Sequence, residues 1–368
     1  MNRPAVPGPL LRDLAAAEPS AEGTRLLQGA RQDRRTGLLD ALRSAVPRGP
    51  ADEAWALLDE AGRHAPGAVR DVLHYPATGV WAEETLRRLR RPGGPPPDLG
   101  HLDGLAAAAA LRAGITFKAV LKPVQGRLVL PTLGILRPPH SGPYTLTEGG
   151  WDPGDPAALP LHALPCGRTA LDDLDPYRAP GGAAAARAAR RLTARGHKRW
   201  DTQWTGAFTL LERYDTARAG ETAGLLRSIV PLAGGIRSAG AAVRPAPGSA
   251  LVRGQSPPAL AAALVREVQH AKLAVLAGLL PLRTPGPGRQ PPDGLLGGTY
   301  ADLALARYWQ RAALYGARGA WTQHARHRSR AAAALPALGR EPELTEAGRE
   351  FVAAMAAAER ALDTPPAG

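Results

Sequence analysis

Apolar positions recur at helical spacing over most of the chain. From Leu10 to about Arg91, Leu38, Leu39 and Leu42, then Trp55 and Leu58, then Val69, Val72 and Leu73 fall on single helix faces, with Pro66 and Pro76 as punctuation. The run Arg91-Pro-Gly-Gly-Pro-Pro-Pro-Asp98 reads as a loop, because Pro and Gly there continue neither a helix nor a ladder. Leu102 to Ala113 predicts an Ala-rich helix stopped by Gly114. The pattern then changes. Ile115–Leu121 and Arg127–Leu136 are β-branched and flank Pro123-Val-Gln-Gly126, which predicts a hairpin. Strands and loops are expected to about Pro180, and an Ala/Arg helix over Gly181–Arg195.

Helical spacing returns over Trp200–Ala219, and Ile229–Pro231 and Ser249–Val252 read as short buried strands. Ser256 is placed to cap a helix with Pro257 in its first turn, running to about Leu280. After a Pro/Gly-rich break at Thr284–Asp293, helices are expected over Leu295–Tyr315, Ala320–Leu335 and Thr345–Leu362. The fold class is therefore α-rich α+β, mostly helical with a small central β element. Three stretches follow: an N-terminal helical region, 1–114, a β-rich region, 115–180, and a C-terminal helical region, 181–368, expected to pack as one unit.

The helix after Ser256 is apolar on most faces, with Leu260, Leu264, Val268, Ala271, Val275 and Leu279 in one stripe, so it is expected to be buried. Its middle nevertheless reads Arg266-Glu267-Val268-Gln269-His270. Buried polar groups need partners. Glu267 and His270 are three apart and Arg266 and His270 four apart, so each pair shares a helix face. The stretch is one substitution from H-E-x-x-H, in which two imidazoles at i and i+4 meet one cation beside a carboxylate. Here the first position is Arg266, whose guanidinium has no lone pair for a metal. From the residues alone, a buried Arg–Glu–His network stands beside a metal site, with Arg266 paired to Glu267.

The surrounding text, Leu260-Ala-Ala-Ala-Leu-Val-Arg-Glu-Val-Gln-His-Ala-Lys-Leu273, resembles the core of the HExxH-type 2-oxoglutarate-dependent peptide β-hydroxylases. The likeness extends through Ala68–Val69, Val72-Leu-His-Tyr-Pro76 and Val80–Trp81, through Leu128-Val-Leu-Pro-Thr-Leu-Gly134 and Leu171-Asp-Asp-Leu-Asp-Pro-Tyr-Arg178, and through Ile229–Leu232, Gly294–Ala301 and Tyr308–Trp309. It spans about Leu10 to Leu362. The resemblance implies an iron(II) and 2-oxoglutarate enzyme that hydroxylates a side-chain β-carbon in a ribosomally made precursor peptide. It implies a metal His at position 266, the motif carboxylate at Glu267, a second metal His at His270, and a further ligand downstream, where Asp302 is the residue able to coordinate. This chain departs from that pattern at Arg266, and at 284–293, where the family's Arg- and Trp-containing segment is replaced by one holding only Arg289.

Three readings follow. The metal is lost and the protein binds a precursor peptide or a pathway enzyme, with no cofactor; or it is a hydroxylase using His270, Asp302 and Glu267; or it performs metal-free chemistry with Glu267 or His270 as base. A zincin-like protease would use the same helix and is damaged equally by Arg266.

Composition changes this picture little. The net charge is +13, yet only four residues are Lys (Lys118, Lys122, Lys198, Lys272), so the basic charge is almost all Arg. Arg in excess beside abundant Ala, Gly and Pro is what a GC-rich coding sequence produces, and no aromatic-interleaved or zinc pattern directs the charge to nucleic acid. The single cysteine, Cys166, excludes an internal disulfide and reads as a bystander. No secretory signal is apparent in residues 1–17 and no run of about 18 apolar residues occurs, which predicts a cytoplasmic protein without a membrane partner. His324 and His327 sit among Arg326, Arg328 and Arg330 and read as part of a solvated basic face. Asp172, Asp173 and Asp175 read as turn and capping residues, and the remaining histidines show no site-forming spacing.

Overall fold

The computed structural model describes residues 6–47, 49, 51–91, 93–181, 188–233, 246–254, 256–284 and 294–362. Helices dominate them, as the α-rich α+β reading requires. Six come first: α1 (Gly8–Ala15), α2 (Ala21–Ala45), α3 (Asp52–His64), α4 (Pro66–Leu73), α5 (Pro76–Leu89) and α6 (Gly100–Ala113). Ser20 caps α2 by accepting from the Gly23 amide, and Pro66 and Pro76 open α4 and α5, where a missing N–H costs nothing. Gly114 ends α6 in the left-handed conformation.

The β segment departs from the expected hairpin. β1 (Lys118–Leu121) pairs antiparallel with β4 (Tyr144–Thr147), while β2 (Leu128–Leu130) folds back on β3 (Gly134–Leu136), which pairs with β5 (Ala158–Pro160). The turn at 123–126 survives only as a bridge between Val124 and Arg127. The reason lies in the second segment. Pro131 to Gly134 supplies a turn of its own, and Gly134, at φ +141, meets the β5 backbone too closely for a side chain. A third sheet runs β6 (His162–Ala163), β7 (Ala170–Leu171), β8 (Ser228–Pro231) and β9 (Ser249–Val252), with β8 and β9 parallel and buried.

Of the helix expected over Gly181–Arg195, the described residues 188–193 are not helical. Residues 182–187 lie outside the described residues, and Ala188 forms a bridge to Leu232. Helix resumes at α7 (Ala194–Tyr214), capped by Thr193. The predicted Trp200–Ala219 helix is broken at Asp215, whose side chain accepts from the Arg218 amide and starts α8 (Thr216–Leu225). Next come α9 (Pro257–Leu279), α10 (Leu295–Leu314), α11 (Ala320–Gly339) and α12 (Glu346–Arg360). Ser256 precedes α9, but its side chain makes no capping bond.

Two large apolar cores result. One gathers the far half of α2 with α3 to α6 and the first strands; the other packs α1, the near half of α2, β7 to β9 and α7 to α12. Helix α9 lies inside the second core between α7 and α10. Leu260, Leu264, Val265 and Val268 are fully buried there, each contributing about 1.5–3 kcal/mol. Gly206 on α7 permits the contact that sets its start, since a Cβ there would come 2.8 Å from Pro257. Among the described residues no helix is long and apolar enough to cross a membrane.

Candidate functional site

The apolar stripe of α9 turns Val265, Val268 and Gln269 inward and leaves Arg266, Glu267 and His270 on the flank facing α10 and α11. The Arg266 guanidinium does not pair with Glu267, which corrects the expectation from sequence. Adjacent helix positions diverge by about 100°. Arg266 instead leans toward α10, its Nη2 lying 3.8 Å from Asp302 Oδ1. Its side chain is 37% exposed, so it is not the buried charge that the apolar helix suggested. His270 Nδ1 lies 3.9 Å from Glu267 Oε1.

Asp302, chosen from sequence as a possible ligand, does belong to this group. What sequence missed is its main partner. His327 on α11 places Nδ1 2.7 Å from Asp302 Oδ1. The basic-face reading of α11 is overturned here: His324 is wholly buried with Nδ1 2.8 Å from the Ala306 carbonyl, and His327 is buried too. The signal was present in the spacing. His324, His327, Ala331, Leu335 and Leu338 form one buried stripe at helical period, obscured by the arginines between them.

Beside this group lies an open pocket of about 860 Å³ between α7, α9, α10, the start of α11 and β9, which neither His270 nor Asp302 lines. Glu267, Arg266 and His327 line it beside Tyr214, Tyr308 and Trp309. Burial pushes the Glu267 carboxyl up to about 7, with the neighbouring Arg266 charge pulling weakly the other way. Burial likewise raises the Tyr308 phenol. A carboxyl that titrates near neutrality in a pocket wall can hold or release a proton under physiological conditions.

An iron centre of the kind the resemblance implies needs donors at 266, at 270 and on the downstream helix. The donor set does not fit it. Arg266 has nothing to donate, and Asp302 is occupied by an imidazole and a guanidinium. Among the described residues no three His, Cys, Asp or Glu side chains gather where one ion could be held. Residues 285–293, with Arg289, lie outside the described residues.

Two further polar groups escaped sequence reading. On the same helix, Lys272 Nζ lies 2.6 Å from Glu221 Oε1, deep in the core, and Arg218 joins Glu221 at 3.8 Å and Asp215 at 3.2 Å. Elsewhere His162 and His197 stack at 4.4 Å and reach Asp201 and Asp173 at 2.7 and 2.8 Å. Their separation along the chain hides that cluster, and none of its members lines the pocket. In the acidic turn Asp172 and Asp175 each accept from a backbone amide two residues on, as expected, whereas Asp173 reaches away from the turn to the Leu192 amide, Arg191 and His197. No family model matches this chain, and no curated protein matches it.

Proposed function

We propose that this chain binds a peptide in the pocket beside Glu267 and serves precursor-peptide tailoring as a binding partner, from within the HExxH peptide-hydroxylase group and without its metal. One observation carries the reading: Arg266, at the position where the resemblance would put the first ligand, leans on Asp302, while the adjoining pocket stays open and walled by aromatic and apolar side chains. That combination suits recognition of an extended chain more than redox chemistry.

Panning a random dodecapeptide library against the full chain tests it. Peptides are expected to enrich on the wild type and to be lost on Ala262→Trp, which fills the pocket from α9. No enrichment, or binding indifferent to the filling, defeats the proposal. Iron(II)-dependent conversion of 2-oxoglutarate to succinate, in the wild type or in Arg266→His, would also defeat it.

A second reading is favoured by the Glu267 carboxyl, which is held near neutrality in the pocket wall. There Glu267 would act as a metal-free general acid or base on the bound peptide. Mass spectrometry of an enriched peptide after incubation separates the two. A mass change abolished by Glu267→Gln supports catalysis; an unchanged mass supports binding alone.

A further inference from the structure

The charges around the pocket are unequal. Three arginines line it, Arg253, Arg266 and Arg318, against the single carboxylate Glu267. Arg253 and Arg318 make no ion pair among the described residues, and Arg318 is exposed. The histidine in the wall, His327, is already committed to Asp302. An unbalanced basic lining attracts an anionic ligand and disfavours a cationic one.

Behind the wall lie two buried polar groups with no hydrogen-bond partner among the described residues. Tyr308 is wholly buried and its hydroxyl has no partner; the indole Nε1 of Trp309 is buried and has none either. Both residues line the pocket. Against these polar points stand Leu210, Leu305, Ala262 and Ala263, which offer an apolar floor.

Resting on the peptide reading above, we propose that the pocket selects an acidic peptide segment, one that sets an Asp or Glu side chain against the arginines of the lining, Arg253, Arg266 and Arg318, and lays apolar side chains on its walls. The pocket is far larger than a free dicarboxylate needs, and its aromatic and apolar walls would be left wet by one.

The composition of the enriched library reports on this directly. Asp and Glu are expected to be over-represented in wild-type binders, and replacing the acidic residue of the best binder by its amide is expected to weaken it roughly tenfold. Arg318→Gln, at an exposed position that can hardly disturb folding, and Arg266→Gln are each expected to reduce the acidic bias, with melting curves recording that the variants remain folded. Enrichment of neutral peptides, with amide and acid binding equally, overturns the acidic preference while leaving peptide binding intact. Displacement of the best binder by 2-oxoglutarate alone would overturn it in favour of a small dicarboxylate. A wild type that enriches no peptide defeats both this inference and the function it rests on.

Discussion

Helix α9 carries two ionic groups less than two turns apart, and they are built in opposite ways. Lys272 and Glu221 are each about 2% exposed and touch at 2.6 Å, with Arg218 and Asp215 completing a closed network that also engages the Ala17 carbonyl. Arg266 and Asp302 stand 3.8 Å apart at a pocket edge, with the guanidinium more than one-third exposed. The first group joins α8 to α9 and fixes the segment before α2; every charge in it points to another element of the protein. The second leaves donors directed at open space. The contrast separates charges that hold the fold from charges available to a ligand, on one helix and within one apolar stripe.

The largest effect should come from the closed network. Taking away one member of a buried pair leaves its partner charged in a low dielectric, at a cost of about 3–5 kcal/mol, whereas removing both avoids that cost. Glu221→Ala and Lys272→Met should each lower stability by that amount in denaturant melts, and the double variant should lose less than their sum. Single-variant losses below about 1 kcal/mol would show that water reaches the pair and would erase the contrast.

Glu267 gives the next effect, and its sign follows from its titration. The carboxyl ionises near 4.5 when exposed and is pushed up to about 7 by burial, so the folded chain holds the proton more tightly than the unfolded chain. Stability is therefore full below about pH 4.5, falls as pH rises toward 7, and stays reduced above it. The difference corresponds to about 3 kcal/mol. Glu267→Gln should remove that slope and leave the variant more stable than wild type at pH 8, with the two converging near pH 4. A wild-type pH–stability curve matching that of Glu267→Gln would show that the carboxylate is solvated.

Between the two groups sits Gln269, wholly buried, with neither amide atom hydrogen-bonded among the described residues. An unsatisfied buried amide costs about 1–3 kcal/mol, so Gln269→Met should leave stability unchanged or raise it by about 1 kcal/mol. A loss of 2 kcal/mol or more would mean that the amide has a partner, such as an ordered water, and belongs with the closed network.

Much of this was legible in the chain. The buried character of α9, the two short buried strands β8 and β9 and the helix ending at Gly114 follow from period and residue type, whereas Asp302 enters only through the family resemblance. What escaped was pairing across long separations. The β1 strand pairs with β4, some two dozen residues on, because Pro131 to Gly134 takes β2 into a hairpin of its own. His327 meets Asp302 only because α11 packs along α10, and Lys272 meets Glu221 across half a hundred residues. Proximity in sequence pairs Arg266 with the wrong carboxylate, because the nearest one points to a different side of the helix. Local pattern fixes which face is polar; only the packing of neighbouring helices decides what that face meets.

The smallest expected effect is therefore the most informative. Arg266→Gln removes a partly exposed ion pair at 3.8 Å, and such pairs are worth about 0–1 kcal/mol once solvent screening and side-chain entropy are counted. Asp302 keeps its bond to His327, so no carboxylate is stranded. Stability at pH 6 should fall by less than about 1 kcal/mol. A second readout should move in the same variant. Arg266 holds the Glu267 carboxyl down slightly against burial, so its loss should shift the Glu267 titration further upward, and the fall in stability with pH should move to higher pH with it. A small stability change with a displaced titration places Arg266 at the pocket, acting on Glu267 and on whatever enters. A loss of 3–5 kcal/mol, as large as that expected for Glu221→Ala, would instead place Arg266 among the charges that hold the fold, and the asymmetry between the two groups on α9 would disappear.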